Sequence, residues 1–459
     1  MGINQAIARV LYGAVFVLLV PLGLVAWSQN VRIPLPALHW PGWGLGIALA
    51  GLFIMLAGML TLIVRGEGLP MNAFPPAKLV TQGIYAIFPH PIYTGFTLTC
   101  LGVSLLRGSA TGLWLTTPVV ALSCMALVIG YENPSLLRRH RQLPAPLIGY
   151  DRLLRAPVQA MHLDKGWACV LKGTERIANS WRERRIGPVR IISHGIYGGL
   201  AGGVGAFGVV WLAGAGHAGE VAVMFVAGLL GAAIWAQLLE GSSVLLRPFG
   251  YYGGVLGVVL GGLGLSLFGR DVLLLFAAWG CAAPFVQAIG RVRCLVQGCC
   301  HGREAPETAG IHVTNEHSRV CAIARLRGRA IYPTQLYSII GNVVAGAALV
   351  WLWVLGAPLA VIAGGYLILS GIVRFMEEGY RGEPQTRHIR GMPIYQWLSI
   401  LTLVAGMLVM LIAAPPAPAL CATSLRPASI LGVVFFTACW FAYGIDFPNS
   451  KARYSRLSG

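Results

Sequence analysis

The sequence predicts an all-α, polytopic integral membrane protein with about twelve transmembrane helices arranged in two bundles. Hydrophobic residues make up 56% of its 459 residues and charged residues only 11%, and the mean hydropathy is +0.70. A soluble core cannot bury this much apolar surface, whereas runs of about 20 apolar residues match the thickness of a bilayer. Twelve runs of this kind, the third of them short, lie near residues 10–27, 44–64, 92–106, 110–130, 190–214, 219–239, 248–268, 271–290, 336–356, 358–376, 395–414 and 428–446.

The charge balance and the cysteines narrow the class further. The formal net charge is +18, and basic residues cluster in the loops that flank the apolar runs, as is ordinary for a membrane protein. We therefore expect no nucleic-acid partner. The ten cysteines are scattered, several of them inside spans. They lack the spaced pairs of a secreted disulfide scaffold, which favours reduced thiols or a metal over disulfides.

The apolar runs divide the chain into four predicted regions. Residues 1–135 form a four-span membrane domain, residues 190–415 form a second membrane domain of seven spans, and residues 416–459 add a C-terminal span with a basic tail. Residues 136–189 are a basic cytoplasmic or interfacial linker. Within this linker, residues around 167–183 are predicted either as an amphipathic interfacial helix or as a solvated loop.

Residues 290–302, GRVRCLVQGCCHG, combine two arginines, three cysteines and a histidine. Arg291 and Arg293 stand where the apolar run 271–290 is expected to meet water. A charge in that place is costly unless it is paired, hydrated or bound to an anionic group. The stretch therefore predicts a site for an anionic headgroup with thiols beside it. A snorkelling arginine pair at a helix end, next to structural cysteines, is the alternative.

Four motifs in fixed order carry a resemblance to a known family. The pattern Gly290-Arg291-x-x-Cys294-x-x-Gln297-Gly298-x-x-x-Gly302 is similar to G-R-x-G-N-F-x-N-G-E-x-x-G. Residues 332–337, YPTQLY, are similar to H-P-S-Q-L-Y. Residues 374–381 match R-x-x-x-E-x-x-R, and residues 396–400 are similar to the end of G-Q-x-L-S-I. Over roughly residues 190–415 the chain thus resembles the prolipoprotein diacylglyceryl transferase family.

The resemblance implies a group of residues that binds phosphate. A guanidinium binds phosphate oxygens through two parallel donors and does not lose its charge. Arg374, Glu378 and Arg381 are spaced i, i+4, i+7 and are predicted to share one helical face, where Glu378 orients both arginines. Together with Arg291 they form the predicted phosphate clamp. A structural salt-bridge ladder at a helix end is the alternative.

Further site residues follow from the same resemblance. Tyr252 stands where the family's H-G-G-L motif carries its histidine, and is predicted to be catalytic. His194 is the second candidate for that role. The predicted substrate-binding residues are Gln297, Gly298, Gly302, Gln335, Tyr337, Gln396 and His194. The alternative for Gln335, Tyr337 and Gln396, which stand at the starts of spans, is an ordinary intramembrane hydrogen bond.

The cysteines depart from the family pattern. Cys294 and Cys299 stand at its asparagine and glutamate positions, and Cys300 and His301 follow. We predict that Cys299 is catalytic. Three interpretations stay open. The first is a nucleophilic or acyl-carrying thiol whose pKa nearby arginines lower. The second is a zinc site completed by a downstream ligand, and the third is a redox pair. The downstream candidates are His312, His317 and Cys321.

The first membrane domain resembles a second family. Residues 83–95, GIYAIFPHPIYTG, are similar to the G-P-Y-x-x-x-R-H-P-x-Y-x-G motif of the isoprenylcysteine and phospholipid methyltransferases. That resemblance implies an S-adenosylmethionine site. Its predicted cofactor-binding residues are Tyr85, His90, Pro91, Tyr93 and Glu132. An interfacial turn before a helix, with Tyr85 and Tyr93 as headgroup-level anchors, is the alternative.

Two departures put methyl transfer in question. The family arginine before His90 is Pro89, and the second residue of its glutamate pair is Asn133. Proline cannot replace an arginine that grips a carboxylate through two donors.

Counting spans in order places the arginine-rich loops on one side of the membrane. These loops are residues 65–82, 131–189, 291–332, 381–391 and 447–459. The positive-inside bias predicts that this side is the cytoplasmic face of the inner membrane. Members of the resembled transferase family act on an exported prolipoprotein, so this orientation argues against an exported acceptor.

We expect a membrane transferase that moves a diacylglyceryl or similar group from a phospholipid such as phosphatidylglycerol to a thiol or other lipid-linked acceptor. A fused half would use S-adenosylmethionine for methyl transfer. One alternative is a methyltransferase whose second half only binds lipid, and another is a lipid or small-molecule transporter.

Overall fold

The computed structural model describes residues 11–66, 76, 78–140, 163–239, 250–383, 386–420 and 422–449. The chain divides into two compact units, residues 1–167 and residues 168–459. Arg141, Arg152 and Arg155 of the predicted linker lie outside the described residues. So do residues 67–75 and 450–459 of the basic loops.

Among its described residues, unit 1 has four long helices and a short helical turn at Ile84–Ile87. The helices are α1 (Leu11–Asn30), α2 (Pro41–Arg65), α3 (Pro91–Arg107) and α4 (Gly112–His140). Proline begins both α2 and α3, where its missing N–H costs no helical hydrogen bond. Helix α4 contains a π-helical turn at Val128–Glu132, the kind of local distortion that often marks a functional site.

Helices α2 and α3 pack through glycines. A Cβ atom on Gly51 would lie 2.6 Å from the amide nitrogen of Thr99, and one on Gly102 would lie 2.3 Å from that of Ala48. These distances leave room only for hydrogen, so the two backbones approach as closely as small residues allow in membrane bundles. The contact holds His90, at the start of α3, in a fixed position relative to α2.

Helix α5 (Leu163–Ala178) contains the chain position at which the units divide. Besides a short helix at Arg319–Ala322, eight longer helices follow it among the described residues. They are α6 (Gly195–Ala213), α7 (Ala218–Leu239), α8 (Tyr251–Ser266), α9 (Val272–Gln297), α10 (Thr334–Val354), α11 (Leu359–Glu378), α12 (Ile394–Val409) and α13 (Leu425–Gly444). Helix α9 packs on α6, α10 and α11, and α13 packs on α6. The C-terminal span predicted as a separate region thus packs within unit 2.

Three small antiparallel sheets connect the helices of unit 2. Strands β1 (Glu183–Ile186), β2 (Val189–Ile192) and β7 (Ile445–Asp446) form the first. Strands β3 (Ile311–His312) and β4 (Ala330–Ile331) form the second, and β5 (His388–Ile389) and β6 (Met392–Pro393) form the third. The residues before α6 therefore meet those after α13. A backbone bridge between Gly302 and Arg381 likewise joins the segments that follow α9 and α11.

The helices confirm the predicted fold class. Each predicted span coincides with one described helix, and nine of the described helices are long and apolar enough to cross a membrane. Two further apolar helices, α8 and α12, are shorter. The predicted interfacial helix near residues 167–183 is α5, which ends earlier, at Ala178.

Two predicted boundaries are wrong, and both affect the site. Helix α9 does not end at residue 290 but continues to Gln297. Its 26 residues measure about 39 Å at 1.5 Å per residue, more than the hydrocarbon thickness of a bilayer. Helix α11 ends at Glu378, so Arg381 lies in the segment beyond it rather than on the helix.

Candidate functional site

The carboxyl-terminal part of α9 brings Arg291 into buried ion pairs with α11. Arg291 Nη2 lies 2.8 Å from Glu377 Oε2, and Arg291 Nε donates to Ser338 Oγ at 3.1 Å. The other oxygen of Glu377 accepts from Arg374 Nη1 at 2.9 Å. The snorkelling interpretation is therefore wrong for Arg291, because its guanidinium is held inside the bundle.

Glu378 joins the remaining two arginines of the predicted clamp. One of its oxygens, Oε2, lies 2.8 Å from Arg374 Nη2 and 3.1 Å from Arg381 Nη1. Arg381 Nη2 also pairs with the carboxylate of Glu383. Glu378 orients both guanidiniums as expected, although Arg381 reaches it from the turn after α11.

Three buried guanidiniums thus face three buried carboxylates, which nearly cancels their charge. Two donors are left over: Arg374 Nε and Arg381 Nε are buried and have no hydrogen-bond partner. Leaving such a donor unpaired costs about 1–3 kcal/mol. An oxyanion that accepts from these donors would recover that free energy.

The three cysteines lie beside this group. The sulfur atoms of Cys294, Cys299 and Cys300 are all within 4.8 Å of one another. Cys300 has a φ of +58°, an unusual conformation for a residue with a side chain. Two hydrogen bonds hold it there: the Cys300 N–H donates to Glu383 Oε1 at 3.0 Å, and its carbonyl accepts from Thr334 Oγ1 at 2.7 Å.

The surroundings give the thiols beyond α9 different acidities. Hydrogen bonds with Cys294 and Cys299, together with the positive charges of Arg381 and Arg291, hold the pKa of Cys300 well below its usual range. Hydrogen bonds with Cys294 and Cys300, and next burial, raise the pKa of Cys299 well above its usual range. The group thus favours one thiolate, at Cys300, stabilised by neighbouring S–H donors.

The downstream zinc ligands considered in the sequence do not join this group. His312 lies 3.2 Å from Glu175 and 3.0 Å from Glu307. The Cys321 thiol donates to the Val313 carbonyl at 3.4 Å. Among the described residues the group that could hold a metal consists of the three cysteines alone. A structural zinc site needs four protein ligands, so the three thiols fit only a zinc ion that keeps its fourth position open.

Tyr252 lies next to the arginine group through α12. Its hydroxyl is 3.0 Å from Ser399 Oγ, and its ring stacks on Tyr395 with centroids 5.8 Å apart. The guanidinium of Arg374 lies over the same Tyr395 ring, 5.0 Å from its centroid. The ring of Tyr395 therefore lies between Tyr252 and Arg374 of the predicted clamp and contacts both.

Of the predicted substrate-binding residues, some support the backbone of the cysteine turn. Gln335 Nε2 donates to the Cys299 carbonyl at 2.8 Å. Gly298 ends α9 with a φ of +75°, which glycine adopts without strain. A Cβ on Gly302 would lie 2.1 Å from the Tyr332 carbonyl oxygen, so only glycine fits there.

The other predicted substrate-binding residues make their contacts elsewhere in unit 2. The Tyr337 ring contacts Tyr380 edge-on at 5.8 Å, and Gln396 Nε2 donates to the Phe375 carbonyl at 3.4 Å. His194 is not beside Tyr252. It packs its ring against Trp181, with centroids 4.4 Å apart, and it belongs to a separate group together with Gln297.

Sequence reasoning missed several residues of the arginine group. Glu377 bridges Arg291 and Arg374, and its place next to Glu378 was the available signal. Glu383 and Ser338 come from other segments, and their contacts with Arg381 and Arg291 depend on the folded chain.

Unit 1 brings together four of its predicted cofactor-binding residues, namely His90, Glu132, Tyr93 and Tyr85. His90 Nδ1 lies 3.6 Å from Glu132 Oε1, and the rings of His90 and Tyr93 are 6.1 Å apart. Burial, and next the charge of Glu132, raise the pKa of Tyr85. Glu132 Oε2 is buried without a hydrogen-bond partner. Pro91 starts α3 and packs against Gly58 of α2.

An arginine that sequence reasoning missed lies near this group. Arg65 Nη1 is 3.0 Å from Gln82 Oε1, and a Cβ on Gly83 would lie 3.9 Å from the same nitrogen. Arg65 therefore brings a guanidinium to the loop in which Pro89 replaces the family arginine.

Comparison with known proteins matches both units to families. Residues 185–412 match the model of the prolipoprotein diacylglyceryl transferase family. This part of the chain belongs to that family. Residues 42–142 match the model of the phospholipid methyltransferase family. The chain is thus a multi-pass, membrane-bound transferase in which a diacylglyceryl transferase half is fused to a methyltransferase-like half.

Relatives of the transferase half are bacterial. A phosphatidylglycerol–prolipoprotein diacylglyceryl transferase 2 of Clostridium perfringens is 28% identical over 194 residues, which cover 40% of this chain and 73% of the relative. The corresponding enzyme of Clostridium tetani is 24% identical, over 41% of this chain and 76% of the relative. That of Dehalococcoides mccartyi is 33% identical over 23% of this chain and 44% of its own length.

Proposed function

We propose that the transferase half moves a diacylglyceryl group from a phospholipid such as phosphatidylglycerol to a thiol or other acceptor at the membrane surface. The observation that carries the proposal is the pair of unpartnered donors, Arg374 Nε and Arg381 Nε, inside a group of three guanidiniums. Named relatives with this donor and reaction support it.

The reaction assigns a task to the arginines. An acceptor sulfur forms a bond to the terminal glycerol carbon of the diacylglyceryl group, and the bond from that carbon to the phosphate ester oxygen breaks. The electron pair leaves with the phosphate of the headgroup. Arg374 and Arg381 stabilise the charge that this oxygen gains, while Arg291 and Glu377 fix the position of Arg374.

The cysteine group fits proton transfer better than carriage of the lipid. A diacylglyceryl group bound to Cys300 would form a thioether, whose carbon–sulfur bond does not leave readily. A thiolate at Cys300 can instead accept the proton of the acceptor, with Cys299 standing where the family motif has glutamate. This assignment makes Cys300 the base and leaves the acceptor as a separate molecule.

We further propose that the site lies on the cytoplasmic face of the inner membrane. The loops after α9 and α11, which carry the site, meet at one end of unit 2. They are rich in arginine, which the positive-inside bias retains in the cytoplasm. An acceptor available on that face follows, rather than an exported lipobox cysteine.

A reconstituted assay tests this function. Purified protein in vesicles that contain headgroup-labelled phosphatidylglycerol, together with a thiol acceptor, should release labelled glycerol phosphate in proportion to the lipidated acceptor. A transporter would move intact labelled lipid between leaflets without release. A methyltransferase whose second half only binds lipid would leave the phosphodiester uncleaved.

For unit 1 we propose S-adenosylmethionine binding. Bound cofactor supplies an activated methyl group. The unpartnered Glu132 Oε2 fits a cationic or N–H group of this cofactor, and His90 and Tyr85 lie beside it. Arg65, whose guanidinium lies next to the loop, would take the place of the family arginine that Pro89 replaces. Zinc at the three cysteines is the weaker proposal.

A further inference from the structure

We propose that unit 2 contains a second oxyanion site, built by His194, Arg293, Gln297 and Ser318, that binds a phosphate group. This site is separate from the arginine group on α11. It does not depend on the diacylglyceryl transfer proposed above. The first observation is a concentration of buried polar atoms without partners.

Each of the four side chains is more than nine-tenths buried: the exposed fractions are 1% for His194, 8% for Arg293, 1% for Gln297 and 0% for Ser318. Yet both ring nitrogens of His194, Nε and Nη2 of Arg293, Nε2 of Gln297 and Oγ of Ser318 have no hydrogen-bond partner. Buried polar groups are normally paired. A cluster of unpaired donors therefore indicates a missing acceptor.

Several contacts bring these residues to one place. Trp181 lies 4.4 Å from His194 and stacks at 6.0 Å on His317, the residue before Ser318. A Cβ on Gly298, next to Gln297, would lie only 2.2 Å from Ser318 Oγ.

Helix α13 completes the group. The guanidinium of Arg293 lies over the Tyr443 ring, 4.7 Å from its centroid. The same ring packs on Gly198, four residues after His194, where an added Cβ would lie 2.7 Å from Tyr443 Cδ2. The start of α6 and the ends of α9 and α13 therefore surround the group.

The local charge is positive. Burial first, and then the charges of Arg293 and Arg319, lower the pKa of His194 to about 2. The ring is neutral as a result, so one nitrogen donates and the other accepts. Arg190 is also near and pairs with Asp446 and Glu183. Among the described residues Arg293 makes no ion pair, so its charge is left for a ligand.

Helical geometry separates this site from the proposed transferase site. Arg291 and Arg293 are two residues apart on α9, and about 100° of rotation per residue turns them to opposite sides of the helix. Arg291 accordingly faces Glu377 of α11, whereas Arg293 faces Tyr443 of α13. In the signature G-R-x-G-N-F-x-N-G-E-x-x-G the position of Arg293 is glycine, so the second charge is a departure from that pattern.

The donor set selects the ligand chemistry. Guanidinium, imidazole, amide and hydroxyl groups approach from three different segments, which suits the tetrahedral oxygens of a phosphate better than a planar carboxylate. Two sources have this chemistry: the headgroup of an anionic phospholipid and free inorganic phosphate. His317, which covers Trp181, is exposed, so the group lies near the aqueous end of the bundle.

The test compares full-length protein with Arg293→Gln. Arg270→Gln is the matched control, because Arg270 is 58% exposed and pairs with Glu220 near the opposite end of α9. Native mass spectrometry in detergent would count retained phosphatidylglycerol, with neutral diacylglycerol as the uncharged comparison. Calorimetry would measure binding of inorganic phosphate to delipidated protein.

We expect wild type and Arg270→Gln to bind one more phosphate-bearing ligand than Arg293→Gln does. The affinity of Arg293→Gln for that ligand should fall about ten- to a hundredfold, the loss expected for one charged hydrogen bond. Retention of lipid identifies a headgroup site, and binding of phosphate alone identifies a soluble anion. Ser318→Ala, a smaller change, should weaken binding in the same direction if Arg293→Gln does not fold. The proposal would be overturned if wild type and every folded variant bound the ligand equally well. It would also be overturned if wild type bound neither millimolar phosphate nor the lipid.

Discussion

Arg291 shows how one side chain of the site depends on its two neighbours. Its guanidinium contacts Glu377 and Ser338 through different nitrogens. A lysine keeps the charge but has one nitrogen and cannot reproduce both contacts. The carboxylate of Glu377 would then be held less firmly, and so would Arg374, which pairs with its other oxygen.

The first prediction follows. Arg291→Lys should lower the rate of phospholipid-dependent transfer about ten- to a hundredfold while the protein stays folded in detergent. Arg270→Lys, whose side chain is 58% exposed beside the buried Glu220, is the control and should keep its rate. The measurement is glycerol phosphate release in vesicles. A fully active Arg291→Lys would show that the fork of the guanidinium is not needed.

The second prediction concerns the pH dependence of Cys300. Its lowered pKa means that the thiolate persists as the pH falls below about 8.5 and is lost only when the pH passes the lowered value. Alkylation of Cys300 by iodoacetamide, measured by mass spectrometry, should therefore persist to lower pH than alkylation of Cys321, whose pKa is raised by burial. Arg381→Gln should move the Cys300 curve to higher pH. If alkylation of Cys300 and of Cys321 falls off at the same pH, the assignment of a thiolate to Cys300 is wrong.

At this scale the sequence identified the arginines but not their partners. The signature and the R-x-x-x-E-x-x-R spacing located Arg291, Arg374, Glu378 and Arg381, because family motifs preserve order along the chain. Glu383 could not be found in this way, because its contact depends on a turn whose path the sequence pattern does not contain.

Among the elements, α4 is the one whose local geometry bears on a cofactor. Its π-helical turn ends at Glu132, which turns this carboxylate toward His90 at the start of α3. The motif predicted that these residues meet. It did not predict Arg65, which comes from the end of α2, outside the motif.

The third prediction tests S-adenosylmethionine binding by that group. Calorimetry on the purified protein should detect binding, and His90→Ala, Glu132→Ala and Arg65→Ala should each weaken it by about tenfold, the loss expected for one charged contact. His39→Ala is the control, since His39 packs on Gly108 at the far end of α3. Absence of binding at millimolar cofactor would mean that Pro89 has disabled the site.

The sheet of β1, β2 and β7 supplies the fourth prediction. Asp446 is buried and accepts from Arg190 Nε at 2.8 Å. Asp446→Asn should lower the free energy of unfolding by about 3–5 kcal/mol, because it leaves a largely buried guanidinium without its main counter-charge. Glu316→Gln removes an exposed pair with Arg327 and should cost at most about 1 kcal/mol. Thermal unfolding in detergent compares the two, and equal shifts would contradict the assignment.

For the whole molecule, composition and periodicity predicted the span positions well, because bilayer thickness sets helix length. The ends of α9 and α11 were predicted poorly. The ion pair of Arg291 with Glu377 and the contact of Arg293 with the Tyr443 ring let α9 carry two arginines inside the bundle. A hydropathy count treats each charge as the end of a span.

The fifth prediction concerns orientation. In intact cells a membrane-impermeant maleimide should leave Cys294, Cys299, Cys300 and Cys321 unlabelled, along with the exposed Cys169. Opening the membrane should label at least Cys169. Arg270→Cys, at the opposite end of the bundle, should be labelled in intact cells. Labelling of Cys169 before opening would place the site outside and favour an exported prolipoprotein acceptor.

The pairing of β2 with β7 sets the order in which unit 2 can be completed during synthesis. Strand β2 precedes α6, the first candidate membrane span of the unit, whereas β7 follows α13, the last. The ribosome therefore makes Asp446 256 residues after Arg190. Until then Arg190 has no Asp446, and Arg293 has no Tyr443 above it. Nascent chains that stop before residue 443 should insert their helices yet remain sensitive to protease at β1 and β2, and protection should appear only with the final segment.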